Sequence, residues 1–171
     1  DPLTTSSGGI VRDAWTNVSG YSLADLRSSA AYAGPPTFTD LLSSFEAPTN
    51  WGDFYGQRLT GLFQVPTEGD YVLLIASDDE SELWLNTTAT SETAVGATKI
   101  AWSQYASGRY QWSARASQQS AVVHLIPGKR YYIQALHKEG NGDDCLAVAY
   151  RLAGQTNAQA MVIPGSLLSP L

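Results

Sequence analysis

An all-β fold, an antiparallel β-sandwich with long surface loops, is predicted by three observations. Of 171 residues, 43% are hydrophobic and only 15% charged, while 15 Gly and 8 Pro divide the chain into short apolar runs. Aromatics make up 11% of the chain, and one of the runs, Glu82–Asn86, alternates with a period of two. Turn-forming residues separate them at strand-like intervals, and a 3.6-residue period is nearly absent. A chain of this length can bury the core of one compact domain and is short for two, so residues 1–171 are read as a single domain.

The elements follow in chain order. Ser22-Leu23-Ala24-Asp25-Leu26 predicts a short helix, with the Ser22 hydroxyl as its N-cap. Residues 30–56 are rich in Pro, Gly and Ser and read as a long surface excursion. Gly61-Leu62-Phe63-Gln64-Val65-Pro66 leads through Thr67-Glu68-Gly69-Asp70 into Tyr71-Val72-Leu73-Leu74-Ile75-Ala76, which predicts a hairpin-like pair. The second of these runs is too apolar to leave one face in water. Glu82-Leu83-Trp84-Leu85-Asn86 alternates as a strand should. Ser120–Leu125 runs to a turn at Pro127-Gly128-Lys129, then Arg130–Lys138 follows and, after a Gly-rich loop, Cys145–Tyr150. Trp15, Trp84 and Tyr132 occupy core-type positions, whereas Trp51, Trp102, Tyr105 and Tyr110 form a pool of aromatics near the loops.

Charge narrows the partners. The net charge is −6, and the 10 Lys and Arg are scattered, which argues against nucleic acid and anionic membrane surfaces. No apolar run is long enough to insert in a bilayer, and the opening DPLTTSSGG has neither a basic nor an apolar segment. These features suit a soluble piece excised from a larger secreted or surface protein. Cys145 stands alone, so no internal disulfide forms. Asn17-Val18-Ser19 and Asn86-Thr87-Thr88 match the glycosylation sequon, which matters only in a eukaryotic secretory pathway.

No catalytic constellation is found, and the chain is expected not to be an enzyme. A G-x-S-x-G elbow is absent. Cys145 opens an apolar strand and reads as a small buried hydrophobe, while His124 and His137 lie in separate strands without zinc-ligand spacing. Adjacent Asp78 and Asp79 cannot straddle a glycosidic bond, which needs carboxyl groups roughly 5 to 10 Å apart, although Glu139 offers a further carboxylate.

A hard cation explains the acidic pair better. Calcium takes about six to eight oxygens from carboxylates, carbonyls and water, all readily supplied by loops. Asp78 and Asp79 sit between two apolar runs, and a second oxygen-rich loop, Lys138-Glu139-Gly140-Asn141-Gly142-Asp143-Asp144, sits between two others. If these strands lie side by side in one sheet, both loops emerge at the same end, and the aspartates there would repel without a cation. The other reading is that Asp, Asn and Gly are the ordinary residues of turns.

These residues also carry a resemblance. Val11-Arg12-Asp13-Ala14-Trp15 with Val18-Ser19-Gly20, Ser44-Phe45-Glu46-Ala47-Pro48, Tyr55–Gly61, Gly69-Asp70-Tyr71, Ser77-Asp78-Asp79, Leu83-Trp84-Leu85, Gly128–Ile133, His137–Gly140 and Ile163-Pro164-Gly165-Ser166 occur in order over nearly the whole chain. In this pattern the sequence resembles the domain named after the fourteen-kilodalton fragment of anthrax protective antigen. The resemblance implies a β-sandwich that binds carbohydrate in bacterial adhesins and yeast flocculins and beside glycosidase domains. It further implies that two neighbouring aspartates joined by a cis peptide hold Ca2+, which chelates vicinal sugar hydroxyls.

Carried onto this chain, the metal ligands are Asp78, Asp79, Asn141, Asp143 and Asp144, and the ligand surface adds Glu139, Gly140 and Gly142. The expected function is a calcium-dependent lectin module of an adhesin, extracellular or at the cell surface, acting in cell adhesion or biofilm. Its partners would be glycans with vicinal hydroxyls, of the fucose, glucose or N-acetylglucosamine type. A calcium-stiffened spacer and a substrate-targeting module attached to a glycosidase are the alternatives.

Overall fold

Apolar residues two apart on successive strands build two antiparallel sheets that bury one face of each against the other. The computed structural model describes residues 8–171; residues 1–7, which open the DPLTTSSGG stretch and the single-domain reading, lie outside the described residues. The larger sheet holds β1 (Ile10–Trp15), β2 (Phe38–Leu42), β3 (Tyr55–Phe63), β5 (Glu80–Leu85), β6 (Thr98–Ser103), β8 (Tyr131–Glu139) and β11 (Leu168–Ser169). Its order is β2-β1-β3-β8-β5-β6, with β11 also paired to β3. The smaller sheet, β10-β9-β4-β7, is made of β4 (Gly69–Asp78), β7 (Val123–Leu125), β9 (Cys145–Leu152) and β10 (Met161–Val162).

Between the sheets, Leu59, Phe63, Leu83, Leu85, Ile133 and Ala135 meet Leu73, Ile75, Leu146 and Val148. The apolar character of β4 on both faces has its reason here. Tyr71, Leu73 and Ile75 face the other sheet, while Val72, Leu74 and Ala76 pack with Ala147 and Ala149 beneath Trp112. On the outer face of the larger sheet, α1 (Leu23–Ser28) seats Leu23 and Leu26 against Trp15, Val18 and Leu136. Ser22 caps α1 as predicted: its Oγ accepts from the Asp25 backbone N–H at 3.1 Å, and the Asp25 carboxylate accepts from the Ser22 N–H at 2.9 Å. The helix seats closely because residue 56 is Gly; a Cβ there would lie 2.3 Å from a Leu26 methyl.

Several expectations change. Residues 30–56 are not only a surface excursion, because they include α2 (Ala30–Ala33) and β2, and they bury Phe45 and Ala47. β2 is an edge strand with Phe38 and Leu41 exposed, so no alternation marks it. The runs 61–66 and 71–76 do not form a hairpin: β3 and β4 belong to different sheets, and the turn between them changes layers. Burial decided the pairing, since β4 needs a covering layer on both faces and finds its partner in β9. Trp15 and Tyr132 are buried as predicted, whereas Trp84 is half-buried on the outer face of β5.

The sequon at Asn86 is also structural. Asn86 is fully buried, and its Nδ2 donates to the carbonyls of Thr90, Thr93 and Val95 at 2.8–3.0 Å. A glycan on Nδ2 is incompatible with those bonds. Asn17 is exposed. No helix among the described residues is long and apolar enough to cross a membrane.

Candidate metal and ligand site

Asp78 ends β4, and Asp79 carries the chain across to β5; Glu139 ends β8, and residues 140–144 cross back to β9. The two crossings lie side by side because β4 pairs with β9 and β5 with β8, with Asp78 opposite Cys145 and Glu80 opposite Lys138. The two loops thus share one end of the molecule, as the sequence suggested, but by passing between sheets rather than by lying within one. Carboxylate oxygens of Asp78, Asp79 and Glu139 all lie within 4.8 Å of one another. The Asp78–Asp79 peptide is cis.

The surrounding groups fix this geometry. The Asp78 carbonyl is 2.7 Å from His137 Nε2, and His137 Nδ1 is 2.9 Å from Gln57 Nε2. With the Gln57 amide donating to Nδ1, the imidazole proton sits on Nε2 and is donated to Asp78. Burial lowers the His137 pKa to about 4, so the ring is neutral. Ser77 Oγ donates to the Asp79 carbonyl at 2.7 Å, and the Gly140 N–H donates to Asp79 Oδ2 at 3.0 Å.

Glu139 is fully buried, yet neither of its carboxylate oxygens has a hydrogen-bond partner among the described residues. Asp144, also buried, accepts at Oδ2 from the N–H groups of Trp51 (2.8 Å) and Gly52 (3.0 Å), but its Oδ1 is likewise unpartnered. Burial, and then the charges of Asp79, Asp78 and Asp144, push Glu139 up to about 8. Burial and then Asp79 push Asp78 up to about 6. Burial also raises Asp144 against the backbone donors that lower it. Lys138 forms no ion pair with them among the described residues; its Nζ donates to the carbonyls of Gly20 and Glu139. A buried carboxylate with unfilled acceptors, converging with two half-buried ones, fits a hard, oxygen-liganded divalent cation such as Ca2+.

The remaining predicted residues stand at the rim. Asn141 is exposed, and its Oδ1 accepts from the Tyr21 hydroxyl at 2.8 Å. Asp143 is exposed and adds to the field on Asp78. Gly142 has φ +114°, which lets the loop turn, and its N–H donates to Asp53 Oδ1 at 3.2 Å. Gly140 admits the Tyr21 ring, which a Cβ would meet at 2.0 Å. The structure therefore gathers Asp78, Asp79 and Glu139, sets Asp144 beside them, and leaves Asn141, Gly142 and Asp143 outward.

Two cavities flank the carboxylates. One of about 610 Å³ is bounded by Tyr21, Asp79, Glu80 and Tyr105, and one of about 300 Å³ by Asn50, Asp78, Arg109, Asp143 and Asp144. Segment 104–109 borders both. Of the aromatic pool, Tyr105 is exposed in the first cavity. Tyr110 donates to Glu46 at 2.8 Å, and Arg109 lies 4.6 Å above its ring. Trp51 is engaged by Arg12 at 4.8 Å and by Tyr55, while Trp102 is exposed on β6 beneath Lys99. Cys145 is buried, with its thiol pushed up to about 11 by burial, which suits a packed residue and not a nucleophile.

Sequence reasoning gave no role to Tyr21, Gln57 or His137 and placed Glu139 on the ligand surface only. A signal for one of them was present. Counting back by two from Glu139 puts His137 on the same strand face.

Fold and site together describe a two-layer antiparallel sandwich with an acidic pocket where the chain crosses between layers. A family model, the PA14 domain, matches residues 11–156, and the chain belongs to that family. A PA14 sugar-binding domain from an RTX adhesin superposes with a TM-score of 0.68 at 13% identity, covering 95% of this chain and 98% of that one. The A domain of epithelial adhesin 6 from Candida glabrata, in complex with Galβ1-3GlcNAc, superposes with a TM-score of 0.64 at 12% identity, over 99% of this chain and 90% of that one. At these identities the likeness is one of fold. Mouse N-acetyl-β-glucosaminyl-glycoprotein 4-β-N-acetylgalactosaminyltransferase 1 is 34% identical over 103 residues, 57% of this chain. The chain spans 10% of the length of that curated relative.

Proposed function

We propose that this domain is a calcium-dependent carbohydrate-binding module, a lectin and not an enzyme, displayed outside the cell or on its surface. The observation that carries the reading is the buried, unpartnered Glu139 carboxylate against Asp78 and Asp79, beside two open cavities. Asp78, Asp79 and Glu139 would hold the cation, with Asp144, Asp143 and Asn141 as further oxygen donors from the second loop. Bound calcium supplies a Lewis-acidic centre for two adjacent sugar hydroxyls. His137 holds the Asp78 carbonyl in place, and Tyr21 braces the second loop through Asn141. Segment 104–109, which contributes Tyr105 to one cavity and Arg109 to the other, would select among glycans.

Sugars of the fucose, glucose or N-acetylglucosamine type are the candidate ligands, and Galβ1-3GlcNAc joins them because epithelial adhesin 6 was solved with it. Adhesion, biofilm attachment and targeting of a linked glycosidase are uses for such a module.

Isothermal titration with these four sugars, first with calcium and then with chelator, tests the proposal. Saturable heat that needs calcium is expected. Calcium binding without heat from any sugar would leave a calcium-stiffened spacer instead.

A further inference from the structure

The outer face of the larger sheet carries a groove remote in function from the acidic end. Pairing register aligns Val11 of β1, Thr60 of β3, Gln134 of β8 and Trp84 of β5 in one row across four strands. At the usual strand spacing this row spans about 14 Å. Two cavities, of about 440 and 280 Å³, lie over the row and share Tyr132 and Ala94 in their linings.

The walls are braced. On one side runs the 87–97 loop, tied down by Asn86 and by a two-point contact of Arg130 with Glu92 at 2.7 and 3.1 Å. On the other stand Arg27 of α1 and Tyr32 of α2.

The chemistry of the lining selects an occupant. Its charges are matched internally: Arg58 pairs with Asp13 at 2.8 Å, Arg27 with Glu82, and Arg130 with Glu92. A charged ligand would have to compete with these pairs. What is left over is mainly uncharged hydrogen-bonding capacity, with one N–H of the paired Arg58 guanidinium, and aromatic surface. Thr60 Oγ1 and Arg58 Nε are buried and have no hydrogen-bond partner among the described residues. Gln134 receives the Tyr132 hydroxyl at 2.7 Å, which leaves its amide N–H groups for other acceptors. Trp84 and Tyr32 are half-buried and present parts of their rings. Ring surface beside uncharged donors and acceptors suits the apolar face and hydroxyl edge of a sugar ring.

We propose that this groove is a second, cation-independent saccharide site that takes a short run of a neutral oligosaccharide chain. It requires none of the acidic residues at the crossover end.

The test is a titration of the isotopically labelled domain in chelator with cellohexaose, laminarihexaose, xylohexaose and chitohexaose, followed by backbone amide NMR shifts and tryptophan fluorescence. Saturable shifts are expected at Thr60, Gln134 and Trp84 with at least one hexasaccharide. Thr60→Val and Gln134→Leu, checked for folding by circular dichroism, should each weaken that binding about tenfold, a change of about 1.4 kcal/mol. Undiminished binding in both variants would overturn the placement. Silence from all four sugars would overturn the site. Silence in chelator, with shifts confined to the 78–79 and 139–144 loops when the titration is repeated with calcium, would overturn it while leaving the lectin proposal standing.

Discussion

The loop that follows β5 starts from a buried polar residue, Asn86, and the loop that follows β8 from another, Glu139, and the two are satisfied in opposite ways. In the first, Asn86 gives its amide to three carbonyls and accepts the Thr88 N–H at 2.9 Å, so the loop closes on itself. In the second, Glu139 is equally buried and accepts nothing among the described residues, with Asp78 and Asp79 beside it. Burial of a polar residue at the head of a loop does not by itself mark a site; unfilled acceptors distinguish the proposed one. A buried carboxylate without partners costs free energy that an added cation would recover.

The self-satisfied loop should be the more costly to damage. Asn86→Ala leaves three carbonyls without their donor, and unfolding in urea should show a loss of about 3 kcal/mol, within the usual cost of stranded buried acceptors. A loss below about 1 kcal/mol would mean that water replaces the amide.

Glu139→Gln should act in the opposite sense, removing about two decades of calcium affinity while raising the melting temperature in chelator. pH sharpens the contrast. The folded Glu139 keeps its proton up to about 8, above its ordinary value of 4.5, so in that interval the native state binds more protons than the unfolded chain. Stability in chelator should therefore fall as pH rises toward 8. His137, lowered from 6.5 to about 4, works the other way only below 6.5, so between pH 6.5 and 8 the decline comes from Glu139 together with the exposed His124, which its bonds to Asp70 and Glu68 raise above 6.5. Melting curves should decline across that window in chelator, and the share that calcium or Glu139→Gln removes belongs to Glu139.

The smallest effect belongs to His137→Phe. It frees the Asp78 carbonyl without removing a carboxylate, and calcium affinity should drop about tenfold, as when a positioning group behind a metal ligand is lost. Unchanged affinity would show that the backbone alone holds the aspartate.

Much of the architecture was legible in local patterns. The Ser22 cap, the apolar β4 and the strands over 131–139 and 145–152 were visible because their signals lie within a few residues. What was hidden depends on distant partners. β2 is an exposed edge whose pairing with β1 leaves no mark on its own residues, and the change of sheet after β3 follows from the covering β4 requires. The acidic residues announced themselves by type. Their grouping did not: Glu139 joins the aspartates because β5 pairs with β8, whereas Asn141 is drawn to Tyr21, 120 positions away.

The crossover geometry has a mechanical consequence. Asp78 belongs to a strand of one sheet and Glu139 to a strand of the other, so any ion shared between them rivets the two layers at one end. Shear that slides the layers apart would have to tear the rivet, and a domain loaded with calcium should then resist pulling in proportion to its occupancy.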